Sequence, residues 1–479
     1  MPQLHKKSKL YSAPARLFGK SKGGKKKQIR KDPTVGLAVA NPDAAAIDVG
    51  CTEHWVAVRP DRAPEQVRRF GCFTADLEAL AQWLKECKVD TVVMEATGNY
   101  WVVLYDILEE HQLRPVVVNP RYAKNMSGKK RDISDCIWMQ KLHTYGLFAN
   151  SFRPEESFRI LRAYLRQRQN LVQAASQSIQ HMQSALTEMN VQLANVISDI
   201  TGETGLRMID AILSGERDPR QLARLKDARI KAPLSELAAA LQGHWKAEQL
   251  FILEQARLSY AHYINQMEEC ERRTHDHMRT LKSRLPQMTD QGAVACAEVT
   301  ERASELPSDM KIFGFNLSAE LRRITGVDLT TIDGIGPITA QIVLSEIGTD
   351  MSPWPTEKHF ASWLGLCPDH RISGGRVLGR ATRPVVSRAR NALRIAAYGL
   401  QHSKSALGAK YRRLRARLGA PKAIVAMAHQ LARLIYLMIK HGQEYVDKGV
   451  AAYEQRFREQ QVRWLEKKAQ ELKMKLVAA

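Results

Sequence analysis

The sequence predicts an α/β unit followed by a long helical region and a helical C-terminal part. Three observations predict it. Between residues 44 and 149, short apolar runs of strand length alternate with amphipathic stretches of helix length. From Ser157 the apolar residues recur at heptad-like spacing. Near Gly334 a tight glycine turn leads into an apolar helix. At about 150 residues per domain, 479 residues make about three domains. With 44% hydrophobic and 25% charged residues, the chain can bury a sizeable core.

In chain order, residues 1–43 read as a basic flexible arm containing Gly23-Gly24 and Lys25 to Lys27. Residues 44–155 read as the α/β unit. Ala45–Val49, Trp55–Arg59 and Gln66–Phe73 are its paired strands, and Asp76–Cys87 is an amphipathic helix. A buried strand Val89–Met94, a helix Tyr100–His111, a strand Pro115–Val118 and a helix Ser134–Ala149 complete it. A meander followed by alternating helix and strand predicts a sheet covered on both faces. Residues 156–325 read as extended helices, in part a coiled coil. Leu161, Leu165, Leu171, Ile179, Met182 and Leu186 form the repeat, and turns at Gly202, Gly205 and Gly215 to Pro219 divide the region. Residues 326–443 form the next unit. Asp333-Gly334-Ile335-Gly336-Pro337 followed by an apolar run matches a helix–hairpin–helix, whose Gly334 and Gly336 leave backbone N–H groups free for a phosphate. Residues 444–479 finish as a charged amphipathic helix, a packing or oligomer element.

Charge narrows the partners. The net charge is +22, and its distribution is uneven. Residues 1–31 hold eleven bases and no acid, and residues 371–440 hold sixteen bases and no acid, which leaves the remainder slightly acidic. Two positive blocks on an acidic body call for a polyanion, and nucleic acid is the first candidate. The longest apolar stretch, Ala423 to Ile439, is interrupted by His429, Gln430 and Arg433, so no membrane span is expected. The N-terminus lacks the apolar core of a secretory signal. The seven cysteines contain no Cys-x-x-Cys, which argues against a disulfide framework or a zinc site and for a reducing cytoplasm.

Four carboxylates stand out by position. Asp48 ends the apolar strand Ala45-Ala46-Ile47-Asp48, and Glu95 ends Val92-Val93-Met94-Glu95. Asp132 and Asp135 lie three residues apart at a helix entry, on one helical face. Acids at strand ends and on an adjoining helix can converge in one crevice, where they need a cation to stay ionised together. Hard oxygen donors favour Mg²⁺ or Mn²⁺. A pair of such ions about 4 Å apart suits phosphodiester chemistry. Each acid alone is more commonly a surface or capping residue, and Asp132 could simply cap its helix.

The other constellation is His370-Arg371-Ile372-Ser373-Gly374-Gly375-Arg376, with Arg380 beyond it. By composition it is a turn. Its chemical reading brings a phosphate close to the bare backbone of Gly374 and Gly375. Ser373 is then the nucleophile, with Arg371 and Arg376 neutralising the developing charge. His370 or a metal-lowered hydroxyl pKa could each supply the base.

At these residues the chain resembles the insertion-sequence transposases of family 110, the DEDD transposases, which are related to certain bacterial DNA invertases. The resemblance runs from about Ala44 to Ile439. It is carried by Ile47 to Gly50, Met94 to Tyr100, Asn119 to Lys124, Arg131 to Asp135, Ile332 to Pro337, Trp363 to Pro368 and Ser373 to Gly375. It implies an RNase H-like (RuvC-like) N-terminal domain with metal ligands at Asp48, Glu95, Asp132 and Asp135. It also implies a C-terminal domain whose Ser373 becomes covalently joined to DNA. The resemblance further implies a homo-oligomer, dimer or tetramer, in which the two half-sites meet between protomers on donor and target DNA. A structured non-coding guide RNA that pairs with both DNAs is implied as well. In one departure, 47 residues precede Asp48 where family members have a few, which reads as an added nucleic-acid contact or an upstream start. In another, the helical insert around 200–270 matches only one subgroup.

Three functions fit this reading. The first is a transposase working through a phosphoserine with Mg²⁺, in the bacterial cytoplasm on the nucleoid. The second is a RuvC-like nuclease using water, and the third a DNA-binding architectural protein. The acids oppose the third, since carboxylates facing DNA weaken binding unless a metal fills them.

Overall fold

The computed structural model describes residues 36–119, 132–148, 150–285, 315–369, 371–379, 381–383, 385–442 and 449–475, of which 132–134, 371, 450 and 452 in backbone only. The chain divides into two compact units, 1–152 and 153–479.

In the first unit, strands β1 (Ala44–Val49), β2 (Glu53–Ala57) and β3 (Val67–Gly71) form an antiparallel meander. Helix α1 (Thr74–Glu86), strand β4 (Thr91–Glu95), helix α2 (Trp101–Glu110), strand β5 (Arg114–Val118) and helix α3 (Asp132–Thr144) follow. The sheet order is β3-β2-β1-β4-β5, with β1, β4 and β5 parallel. Alternation along β1 and β4 sorts the side chains between two cores. Ala45, Ile47, Val49, Val92 and Met94 pack with Leu77, Leu80, Leu84, Leu104 and Leu108 of α1 and α2. Ala46 and Val93 face the other way, against Cys136 and Met139 of α3. Both faces are covered, as the alternating pattern predicts.

The element bounds differ from the sequence reading in ways that matter. The buried strand starts at Thr91 and includes Glu95. Helix α3 begins at Asp132 and stops at Thr144, five residues short of the Ser134–Ala149 expectation. Gly146 with φ +67° closes it, a left-handed position that composition alone does not locate.

The far end of α3 is held by a buried histidine. His143 and Thr91 are 4% exposed each, with the ring Nε2 3.0 Å from the Thr91 hydroxyl. That hydroxyl donates its single proton to the Arg114 carbonyl at 3.0 Å, so His143 carries a proton on Nε2. Burial first, and the Arg114 charge second, lower its pKa to about 4. An unfolded histidine titrates near 6.5, so the unfolded chain binds the extra proton between the two values. The stability held by this group is therefore complete above pH 6.5 and lost as pH falls to about 4, by up to about 3 kcal/mol. Melting curves from pH 7 to 4 should show His143→Gln losing less stability than the wild type; identical slopes would remove His143 from the account.

In the second unit, α4 (Glu156–Glu188) and α9 (Ala247–Thr280) pack antiparallel. His277 lies 2.6 Å from the Ser157 carbonyl at one end, and Gln249 donates to Glu188 at 2.6 Å at the other. Short helices α5 (Leu193–Val196), α6 (Glu203–Leu213), α7 (Pro219–Arg224) and α8 (Leu234–Ala240) fill the insert between them. Their core gathers Met182, Leu186, Met208, Ile209, Leu222, Leu237 and Leu253. Next come α10 (Leu317–Thr325), a 3₁₀ turn Leu329–Thr331, α11 (Pro337–Ile347) and α12 (Glu357–Trp363). Strands β6 (Arg371–Ser373) and β7 (Arg376–Gly379) form a hairpin. Helices α13 (Arg388–Gly399), α14 (Ala406–Leu418), α15 (Ala420–His441) and α16 (Gly449–Glu471) end the chain. The hairpin corrects the expectation of helices alone here: Gly-Gly permits a tight reversal that places the flanking residues in strand register.

Helix α15 is long and apolar enough to cross a membrane by length and composition. His429, Gln430 and Arg433 are too few among its apolar residues to prevent this. Half of that stretch is buried within the unit, where Met427, Leu431, Ile435 and Tyr436 are core residues and the Tyr436 hydroxyl donates to the Trp354 carbonyl at 2.7 Å.

Candidate active site

In the first unit the topology gathers acids on one rim. Ile47 of β1 pairs with Met94 of β4 in parallel register, so the next residues, Asp48 and Glu95, are neighbours at the carboxyl ends of adjacent strands. Both follow the alternation of Ala46 and Val93, and so stand on the α3 face of the sheet. The direction of α3 brings its first turn to the same rim. The Cys136 thiol lies 3.3 Å from the Ala46 carbonyl and 3.0 Å from that of Trp55, while Gln140, one turn on, donates to the Ala44 carbonyl at 3.2 Å. The helix thus runs antiparallel to β1, and Asp135 precedes Cys136 at the end where Asp48 lies.

The thiol senses both acids. Burial pushes Cys136 up to about 12, and the charges of Asp48 and Asp135 add to the push. Asp48, Glu95 and Asp135 are all partly buried. Asp132 is the first residue of α3, and its side chain lies outside the described residues. Among the described residues no three acidic, histidine or cysteine side chains are close enough to hold an ion by themselves. The donor set on this rim is nonetheless carboxylate oxygen alone, which fits a hard divalent cation.

Ser373 occupies the end of β6 and pairs across the hairpin with Arg376. Gly374 and Gly375 between them have φ of +54° and +76°, the two positive angles of a type I′ turn, and among the described residues no atom beyond their chain neighbours lies within 4 Å of where a Cβ would stand on either. Ser373, both glycines and Arg376 are exposed. His370 and Arg380 lie outside the described residues, as does the side chain of Arg371. The composition-based expectation of a turn and the chemical reading thus describe the same atoms: an accessible hydroxyl beside bare backbone.

Gly334 and Gly336 are exposed at the entry to α11. Gly334 has φ +87°, and a Cβ there would meet Leu400 and the Ala396 carbonyl near 3 Å, so no larger residue fits. Gly336 is the N-cap of α11 and brings no side chain, which leaves the first backbone N–H groups to a ligand or water. Asp333 beside them accepts from the hydroxyls of Ser405, at 2.6 Å, and Ser403, fixing the turn to the start of α14.

Comparison with known proteins follows this division. The DEDD transposase model of IS110 type, described as Transposase, matches residues 45–191, the stretch that contains the acidic rim. A model described as Transposase IS116/IS110/IS902 family matches residues 328–412, which contain the glycine turn and the hairpin. Both stretches are thus similar to transposases of the IS110 type. A relative from Streptomyces coelicolor, the insertion element IS110 uncharacterized 43.6 kDa protein, is 30% identical over 128 residues. That stretch covers 26% of this chain and 31% of the relative, so the chain spans about a third of the length of the curated relative it matches. The mixed sheet and its helices fit the RuvC-like domain of the family, whose DEDD name points to dependence on a divalent metal.

Sequence reasoning missed what positions the acids. Cys136, Gln140 and His143 tie α3 to β1 and β4. Their only signal is a spacing of three to four residues on one face of a helix that lacks a strong apolar stripe.

Proposed function

We propose that the chain is the recombinase of an insertion sequence, cutting and rejoining DNA through a phosphoserine on Ser373. The observation that carries this reading is the exposed Ser373 hydroxyl at a Gly-Gly turn, in a segment of sixteen bases and no acid, within a chain that also carries an acidic RuvC-like rim. The Ser373 Oγ–phosphorus bond forms as the bond from phosphorus to a deoxyribose oxygen breaks. The departing oxygen takes up a proton, and the serine proton passes to a base. A strand with a free deoxyribose hydroxyl reverses the step, so the ester conserves the bond without ATP. The basic residues Arg371, Arg376 and Arg380 bind the phosphates, and the backbone at Gly334, Gly336, Gly374 and Gly375 approaches them.

Asp48, Glu95, Asp132 and Asp135 would hold Mg²⁺ or Mn²⁺, which when bound supplies positive charge for the developing anion. The all-oxygen donor set supports this assignment. The resemblance supports a homo-oligomer, dimer or tetramer, acting on donor and target DNA with a structured non-coding guide RNA in the cytoplasm. The heptad-like spacing from Leu161 to Leu186 supports the coiled-coil reading, and the glycine turn Asp333 to Pro337 before an apolar helix supports the helix–hairpin–helix. The test is a plasmid carrying both element ends and flanking sequence, incubated with protein and Mg²⁺ but no ATP, with the flanking transcript added in a parallel arm. Joined product is expected in at least one arm. Cut ends alone in both would favour the water-using nuclease.

A further inference from the structure

The β6–β7 ribbon exposes apolar side chains that none of the described residues of its own unit covers. Leu378 is 71% exposed and Ile372 62%, with Val377 beside them at 43%. Ile372 and Val377 are cross-strand partners and share a face, while Leu378 is the extra residue of an irregularity that pairs Arg371 with Gly379, the kind of bulge that re-aims a side chain. A lone two-stranded ribbon is at best marginally stable in water, so this one is built to lie against something.

Its base is firm. Pro368 bridges Thr382, and the Asp369 N–H donates to the Ala381 carbonyl at 2.8 Å. Arg383 donates to the Ser362 carbonyl at 2.5 Å. The arrangement is a short apolar projection on a fixed mount, at the start of a segment, 371–440, that holds sixteen bases and no acid. Charge complementarity selects a polyanion over a protein surface. A two-stranded ribbon also matches a DNA groove, where inserted apolar side chains unstack a base step and kink the duplex.

We infer that the ribbon is a DNA wedge, with Leu378 entering the stack next to the phosphate that faces Ser373 and the exposed Ile372 and Val377 bracing it. This rests on the recombinase reading for its location, but the wedging itself needs no chemistry. Unstacking would free the backbone at the cleaved step to turn toward the hydroxyl.

The test uses duplexes of the element's end with 2-aminopurine placed at each step in turn, mixed with full-length protein and the flanking transcript. The expected result is a rise in fluorescence, several-fold, at one or two adjacent steps. Leu378→Ala should reduce that rise at least fivefold, with DNA affinity changed less than threefold and melting temperature unchanged, and Leu378→Met should restore it. Ser373→Ala should keep the full rise, because unstacking needs no hydroxyl, whereas a wild-type protein that unstacks but never joins DNA refutes the recombinase reading and leaves the wedge standing. A wild-type protein that binds the duplex without any rise, or Leu378→Ala with an undiminished one, overturns the wedge. So does Leu378→Ala changing the mass of the DNA-free protein in sedimentation, which would seat the ribbon on a second copy of the chain.

Discussion

Replacement of Ser373 by alanine is expected to abolish both the covalent protein–DNA species and the rejoined product, by on the order of 10³-fold or more. The hydroxyl is the bond-forming group in the proposed reaction, and neither its neighbours nor water can conserve the phosphodiester energy in its place. Ser373 is exposed at the mouth of a turn, so the loss of one oxygen should leave folding unchanged. Wild-type protein incubated with Mg²⁺ and the element's end should, after denaturation, give DNA-linked protein whose adduct maps to the peptide containing Ser373. Cleavage without any adduct, or undiminished joining by the alanine variant, would transfer the reaction to water or to another nucleophile.

The second large effect concerns the acidic rim. Asp48→Asn, Glu95→Gln and Asp135→Asn each remove a negative oxygen from the carboxyl ends of β1 and β4 or the start of α3, and each is expected to lower Mg²⁺-dependent joining on the order of 10³-fold. A readout independent of catalysis is thermal melting. A ligand present at a hundred times its dissociation constant stabilises the folded state by about 2.7 kcal/mol, so Mg²⁺ should raise the melting temperature of the wild type more than that of any variant. Equal shifts in all proteins would place the ion elsewhere. Asp132→Asn belongs in the same series, and full activity in that variant would take Asp132 out of the set.

How much of this was legible in the sequence depends on the range of the interactions. β1 and β4 are plain because continuous apolar runs ending in an acid leave little choice of element. That Asp48 and Glu95 adjoin also follows once the two strands are parallel neighbours, but nothing local fixes that pairing. The β6–β7 hairpin shows in the sequence only as a turn, because Ile372, Val377 and Leu378 lack the buried alternation by which strands are recognised. The start of α3 lies two residues before the expected Ser134, since Asp132 and Ser134 are equally good helix-entry residues. Contacts such as Cys136 to Ala46, ninety positions apart, carry no sequence signal at all.

The place of β1 in the sheet has a consequence for how the protein breathes. β1 lies in the middle of the order β3-β2-β1-β4-β5, hydrogen-bonded on both edges, with Ala45, Ala46 and Ile47 fully buried. Its amides can exchange with solvent only when the whole sheet opens, whereas the β6–β7 ribbon can fray alone. The acids therefore sit at the end of the strand that is last to unfold. The serine rides on a piece that can melt and re-form many times within one folded lifetime. Heat or denaturant would silence the ribbon's half of the reaction well before the rim lost its shape.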